Sequence, residues 1–129
     1  MTQRGIYPQG VSAADIPLKL SPGIISNGHL FLTGMTGSGP DQTMPDDPDA
    51  QFHAAFQKIA NVLIAADLDF GAVVEMTSYH VDLEAHFDAF SAVHAQYVKP
   101  PYPAWTAVEI AGLRRKGALV EIRVIARLD

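Results

Sequence analysis

The strongest constraint on this chain is the alternation within residues 102–129, YPAWTAVEIAGLRRKGALVEIRVIARLD. Successive side chains of a strand point to opposite faces, so two runs with this period read as two strands. A turn bounded by Gly112 and Gly117, holding Arg114, Arg115 and Lys116, is expected to join them as a hairpin. Split by parity, one face collects Ala104, Thr106, Val108 and Ile110 with Ala118, Val120, Ile122, Val124 and Ala126. That face is apolar and small enough for helices to pack on. The other face collects Trp105, Ala107 and Glu109 with Leu119, Glu121, Arg123, Ile125 and Arg127. Large apolar groups among a few charges are the character of a ligand or protein contact surface.

The rest of the chain supplies the covering elements. Residues 1–22 hold Pro8, Pro17 and Pro22 with little periodicity and read as an extended arm with at most short strands. Residues 23–35 read as a hairpin turning at Asn27-Gly28, a dipeptide that tolerates the positive φ of a tight turn. A loop rich in Gly, Pro and Asp follows, and its Gly-Ser-Gly lacks the lysine and the helix start of a phosphate loop. Asp47 as N-cap and Pro48 in the first turn predict a helix whose apolar stripe is Phe52, Phe56, Ile59, Leu63 and Ala66. Residues 73–81 are β-branched and aromatic and predict a strand. A second helix is expected from about Glu84 to Tyr97, ended by Pro100 and Pro101.

The resulting order is β-β-α-β-α-β-β, with both helices on one face of one sheet. No further element remains to cover the opposite face, so a second copy of the chain is the expected cover, with ligand clefts between subunits. The net charge of −5 gives no electrostatic footprint for nucleic acid. Without cysteine there is no disulfide, thiol nucleophile or thiolate metal site. The five histidines, His29, His53, His80, His86 and His94, fall at no metal-ligand spacing, so neither metal nor cofactor is expected. No apolar run spans a membrane, and the N-terminus lacks a signal-peptide core, so a cytoplasmic protein is expected.

Several motifs then resemble one family. Tyr102-Pro103-Ala104, Val108-Glu109-Ile110-Ala111 and Val120-Glu121-Ile122-x-Val124-Ile125-Ala126 are similar to the C-terminal signature of the RidA/YjgF family, also called endoribonuclease L-PSP. Leu32-Thr33-Gly34 and Val81-Asp82-Leu83 resemble its second-strand and third-strand motifs. The resemblance implies a single RidA-like α+β domain over 1–129, with 1–16 as an extended arm and a chorismate-mutase-like fold of five to six strands. It also implies a homotrimer with small-molecule clefts between subunits, and hydrolysis of enamines or imines such as 2-aminoacrylate to ketoacids and ammonia.

Residue by residue, the family's carboxylate-binding arginine falls at Trp105, its strand-one tyrosine near Leu20, its helix asparagine at Ser91 and its cysteine at Ala107. Only the water-positioning glutamate is kept, as Glu121. Trp105 cannot replace a bidentate ion pair with a small carboxylate, which implies a substrate other than 2-aminoacrylate. Trp105 could wall a pocket or merely fill an interface, and Glu121 could aim a water or pair with an arginine. The backbone N–H groups of Thr33, Gly34 and Met35 could cradle an oxyanion or simply end a strand. Arg114, Arg115 and Lys116 could be a solvated turn or could reach a neighbour's cleft. Two rival functions stand beside hydrolysis: a non-catalytic metabolite-binding or partner-stabilising protein, and RNA cleavage, which rests on the family name alone.

Overall fold

The computed structural model describes residues 3–129. Its strands are β1 (Arg4–Ile6), β2 (Gly23–Ser26), β3 (His29–Leu32), β4 (Val73–His80), β5 (Ala104–Glu109) and β6 (Val120–Arg127), and its helices are α1 (Pro48–Ala65) and α2 (Leu83–Tyr97). One mixed sheet runs in the order β1-β2-β3-β6-β4-β5. The fold is α+β with both helices on one face. The N-terminal arm contributes a real strand, because Arg4 to Ile6 pair antiparallel with Gly23 to Ile25.

Local signals did what their chemistry requires. Asn27 and Gly28 both take positive φ, 51° and 80°, in the two-residue turn between β2 and β3. The Asp47 carboxylate accepts from Ala50 N–H at 3.0 Å and caps α1, with Pro48 opening the first turn. The start of α2 is capped from a distance: Glu109 on β5 accepts from Leu83 N–H at 3.0 Å, where a carboxylate meets the positive helix end.

The expected C-terminal hairpin does not form. β5 pairs in parallel with β4, whereas β6 pairs antiparallel with β4 on its other side and with β3. β4 therefore lies between the two strands that sequence proximity joins. The parity of β6 is as expected, with Val120, Ile122, Val124 and Ala126 buried under the helices. That of β5 is inverted. Trp105 lies opposite Met76 and Ala107 opposite Ser78, so both share the helix-covered face with those buried residues. Ala104, Thr106 and Val108 share the opposite face with Glu75, Thr77 and Tyr79. Small Ala and Thr suited either face, so alternation alone could not orient this edge strand; the tryptophan's bulk against α2 decided it.

The core lies between sheet and helices. Phe52, Phe56 and Ile59 of α1 and Phe90 of α2 are fully buried against Leu30, Leu32, Met76 and Ile122. Phe52 and Phe90 meet edge to face at 5.3 Å, a favoured arrangement of ring quadrupoles. The other face of the sheet carries Phe31, Ile125, Glu121, Tyr79 and Val108 half-buried, with Arg123 and Thr106 exposed.

Candidate functional site

Glu121 sits on the face without helices, beside Tyr79 on β4, which in turn neighbours Val108 on β5. Its side chain folds over Gly34. A Cβ at Gly34 would lie 2.8 Å from the Glu121 Cδ and closer still to a carboxylate oxygen, so only glycine leaves this room. Among the described residues the half-buried carboxylate has no hydrogen bond and no salt bridge. The neighbouring Arg123 is exposed and forms no ion pair with it.

The segment beside Glu121 is held by its backbone. Thr33 N–H donates to Pro22 O at 2.9 Å and Thr33 Oγ1 to Ser21 O at 2.6 Å. Met35 exchanges two backbone bonds with Ile122, at 2.8 and 2.9 Å. Two of the three N–H groups expected as an oxyanion cradle are thus committed, and Gly34 alone keeps its donor uncommitted among the described residues. Leu20 is exposed and lines a surface hollow with Tyr7, Ile16 and Ser21. Tyr7, from the arm, brings its hydroxyl to 3.5 Å from Ser21 Oγ. A phenol therefore does stand beside Leu20, although a different segment supplies it, and no local motif announced it.

Trp105 lies on the opposite side of the sheet. Its indole stacks on His94 at 4.2 Å and on Phe87 at 5.7 Å, both from α2. Its Nε1 donates to Ser78 Oγ at 2.9 Å, and the same hydroxyl lies 2.8 Å from His80 Nε2. Ser78 and His80 are fully buried. Burial pushes the pKa of His80 down, with His86 adding in the same direction, and burial alone lowers that of His94. Both imidazoles are therefore held neutral, and among the described residues His80 Nδ1 and His94 Nε2 are buried without partners. Ala107 occupies the same strand face, and Ser91 is half-buried on α2, at the helical spacing that aligns it with Phe87 and His94. Sequence reading passed over Ser78 and weighed His80 only as a metal ligand; their i, i+2 spacing on one strand was the available signal.

The expected site residues therefore fall into two groups. Glu121, Gly34, Thr33 and Met35 gather at one end of β6, whereas Trp105, Ala107 and Ser91 gather between β5 and α2. Glu121 and Ala107 point from opposite faces of the sheet, because Glu121 pairs with Tyr79 and Ala107 with the adjacent Ser78. Among the described residues, no cluster of three or more His, Asp or Glu side chains could hold a metal ion. No described helix is long and apolar enough to cross a membrane.

Comparison with known proteins extends this picture. Residues 13–128 match the model of the Endoribonuclease L-PSP family. The chain is 35% identical to the RutC family protein YjgH of Escherichia coli over 124 residues, covering 95% of this chain and 93% of that protein. It is 31% identical to the 2-iminobutanoate/2-iminopropanoate deaminase of Capra hircus, covering 90% and 87% of the two chains. The solved structure of protein YJGH superposes with a TM-score of 0.89 at 34% identity, over 98% of this chain and 96% of that one. That of RidA from Psychrobacter sp. PAMC 21119 gives 0.84 at 26% identity, over 96% and 98%. With its motifs, its strand order and its position among these relatives in agreement, the chain belongs to the endoribonuclease L-PSP, or RidA/YjgF, family.

Proposed function

We propose that this protein is a RidA-like hydrolase or deaminase. It acts on an imine, enamine or related unsaturated metabolite other than 2-aminoacrylate, at clefts between the subunits of a cytoplasmic homotrimer. The observation that carries the reading is Glu121. A half-buried carboxylate without hydrogen bond or ion pair is costly to keep unless it meets water, ligand or another chain. Poised over Gly34, it is suited to accept a proton from a water attacking an imine carbon. Relatives named as imine deaminases support the chemistry.

The division of the site into two groups supports the assembly. Groups on opposite faces of one sheet cannot converge on one small molecule within a chain, but copies packed around their uncovered faces can bring one copy's Glu121 to another's Trp105. Trp105 shapes the cleft from the strand edge, with Ala107 and Ser91 beside it and Thr33, Gly34, Met35 and Leu20 contributed from the other half. The atypical feature is Trp105 itself: its single N–H is spent on Ser78, leaving nothing to grip a small carboxylate. The same observation favours a second reading, a binding protein on the same scaffold without turnover.

The test supplies imino acids generated in situ from a panel of amino acids by an amino-acid oxidase and follows ketoacid release. Wild type should turn over bulky imines and spare 2-aminoacrylate. Glu121→Gln should lower turnover by at least about a hundredfold, the usual weight of a general base, with the trimer intact by light scattering. Unchanged turnover in that variant removes Glu121 from the chemistry. Trp105→Arg should gain activity on small 2-imino acids. If wild type and Trp105→Arg are both inactive on the whole panel while metabolites raise Tm, the binding reading replaces catalysis.

A further inference from the structure

Trp105 is held by two residues that lie outside the family motifs. On β5 it faces Met76 of β4, and its indole crosses diagonally to Ser78. Ala107, directly opposite Ser78, is small enough to leave that diagonal open. Trp105 Nε1 donates to Ser78 Oγ at 2.9 Å, and the same oxygen lies 2.8 Å from His80 Nε2. Ser78 and His80 are fully buried and project from one face of β4. An indole N–H can only donate, so the Ser78 oxygen accepts from it and keeps one hydrogen to give. Among the described residues that hydrogen has one acceptor in reach, His80 Nε2. The imidazole then carries its proton on Nδ1, which is the one member of the chain left unpaired. The opposite tautomer would leave both the serine hydrogen and Nδ1 unpaired, a larger penalty in a buried site.

A hydrogen-bond partner that is itself anchored in the core fixes the ring as well as the bond. The indole is held between the Ser78 oxygen and the aromatic side chains of α2. It stacks on His94 at 4.2 Å and 17° and on Phe87 at 5.7 Å and 16°, and tilts against Phe90 at 6.0 Å. Trp105 remains half-buried, so part of the ring faces outward while its N–H is turned to the core. The groups that meet it are Phe87, Phe90, Ser78 and an imidazole that burial keeps neutral, and none brings a full charge. A carboxylate placed against this ring would lose water and gain no donor, whereas a flat apolar group would gain ring contact.

We propose that Ser78, anchored by His80, is a positioning and specificity-determining residue. It draws the N–H of Trp105 into the core and leaves a rigid ring wall that selects ligands with an aromatic or conjugated side chain. The proposal rests on the reading of Trp105 as a wall of the ligand cleft, and it names the kind of side chain that the substrate carries. Ser78 touches no ligand and acts through Trp105.

The test uses the assembled protein with phenylpyruvate and pyruvate as probes, the ketoacids that hydrolysis of an aryl imine and of a small imine would release. With one tryptophan in the chain, the indole N–H gives a single proton resonance that needs no assignment. In wild type it should exchange in heavy water at least about a hundredfold more slowly than in free tryptophan, and stay protected with phenylpyruvate bound. By calorimetry, phenylpyruvate should bind about tenfold or more tightly than pyruvate. Ser78→Ala should release the indole N–H to rapid exchange and shrink that preference roughly five- to tenfold, and Ser78→Thr, which keeps the oxygen, should restore both. Fast exchange in wild type, or no preference for phenylpyruvate, overturns the proposal whether or not any variant folds. An unchanged preference in folded Ser78→Ala also overturns it. If the preference depends on Ser78 while no imine is hydrolysed, the positioning role stands and catalysis falls. If imines are turned over while Ser78→Ala leaves the aryl-to-small ratio of kcat/KM unchanged, catalysis stands and the positioning role falls.

Discussion

Gly34 shows how one missing methyl group can arrange a site. The space that its Cβ would occupy is filled by the Glu121 side chain, and Gly34 has no positive φ that would itself demand glycine. Gly34→Ala is therefore compatible with the backbone conformation, and what must yield is the Glu121 side chain from Cγ to its carboxylate. Stability should change by less than about 1 kcal/mol in urea denaturation, whereas turnover should fall as far as in Glu121→Gln. A large stability loss with normal turnover would show that the glycine serves packing instead. The sequence pointed to Glu121 and Gly34 through motif resemblance, but nothing in it linked them. Their contact arises because β3 ends before β6 does, letting the chain at Gly34 pass beneath the glutamate. Trp105 teaches the opposite lesson: its identity was legible and its orientation was not, since a face is chosen by what lies above it.

Among the elements, the loop from Gly34 to Asp47 looks disordered in composition and is not. Gln51, 2% exposed, fastens it: Nε2 donates to Pro45 O and Gly117 O, both at 2.9 Å, and Oε1 accepts from Leu119 N at 2.9 Å. One amide thus joins α1, the loop before it and the approach to β6. Gln51→Leu would leave two partly buried carbonyls and one partly buried N–H without their amide partner, and should cost about 2 kcal/mol in chemical denaturation. A loss below about 1 kcal/mol would mean that water replaces the amide. The helical stripe read from the sequence begins at Phe52 and does not include Gln51. Only the packing of three distant segments makes it central. The missing hairpin between β5 and β6 has a similar cause: residues 110–119 are long enough to pass the end of β4, and a strand pairs with whichever edge buries its apolar side.

For the molecule as a whole, acid should be the weak direction. His80 and His94 are held neutral in the fold, their pKa values lowered chiefly by burial, whereas in the unfolded chain they titrate near the ordinary 6.5. Below that value the unfolded chain binds more protons than the native one, so stability rises with pH there and is lost as pH falls from about 6.5 toward the depressed values. The midpoint of urea unfolding should decline between about pH 6.5 and 5, and replacing His94 by Gln should flatten that decline. An unchanged slope in the variant would assign the acid sensitivity elsewhere. As the molecule's one tryptophan, Trp105 reports on the same region, because its indole stacks on His94. The family, the two helices, the Asp47 cap of α1 and the β2–β3 turn were determined by local pattern: hydrophobic period, cap chemistry and short motifs act over a few residues and survive in one dimension. The insertion of β4 between β5 and β6, the side that Trp105 takes, and the approach of Glu121 to Gly34 were decided by tertiary structure alone. Each depends on which distant surfaces exclude water together, and that competition is settled only when the whole chain packs.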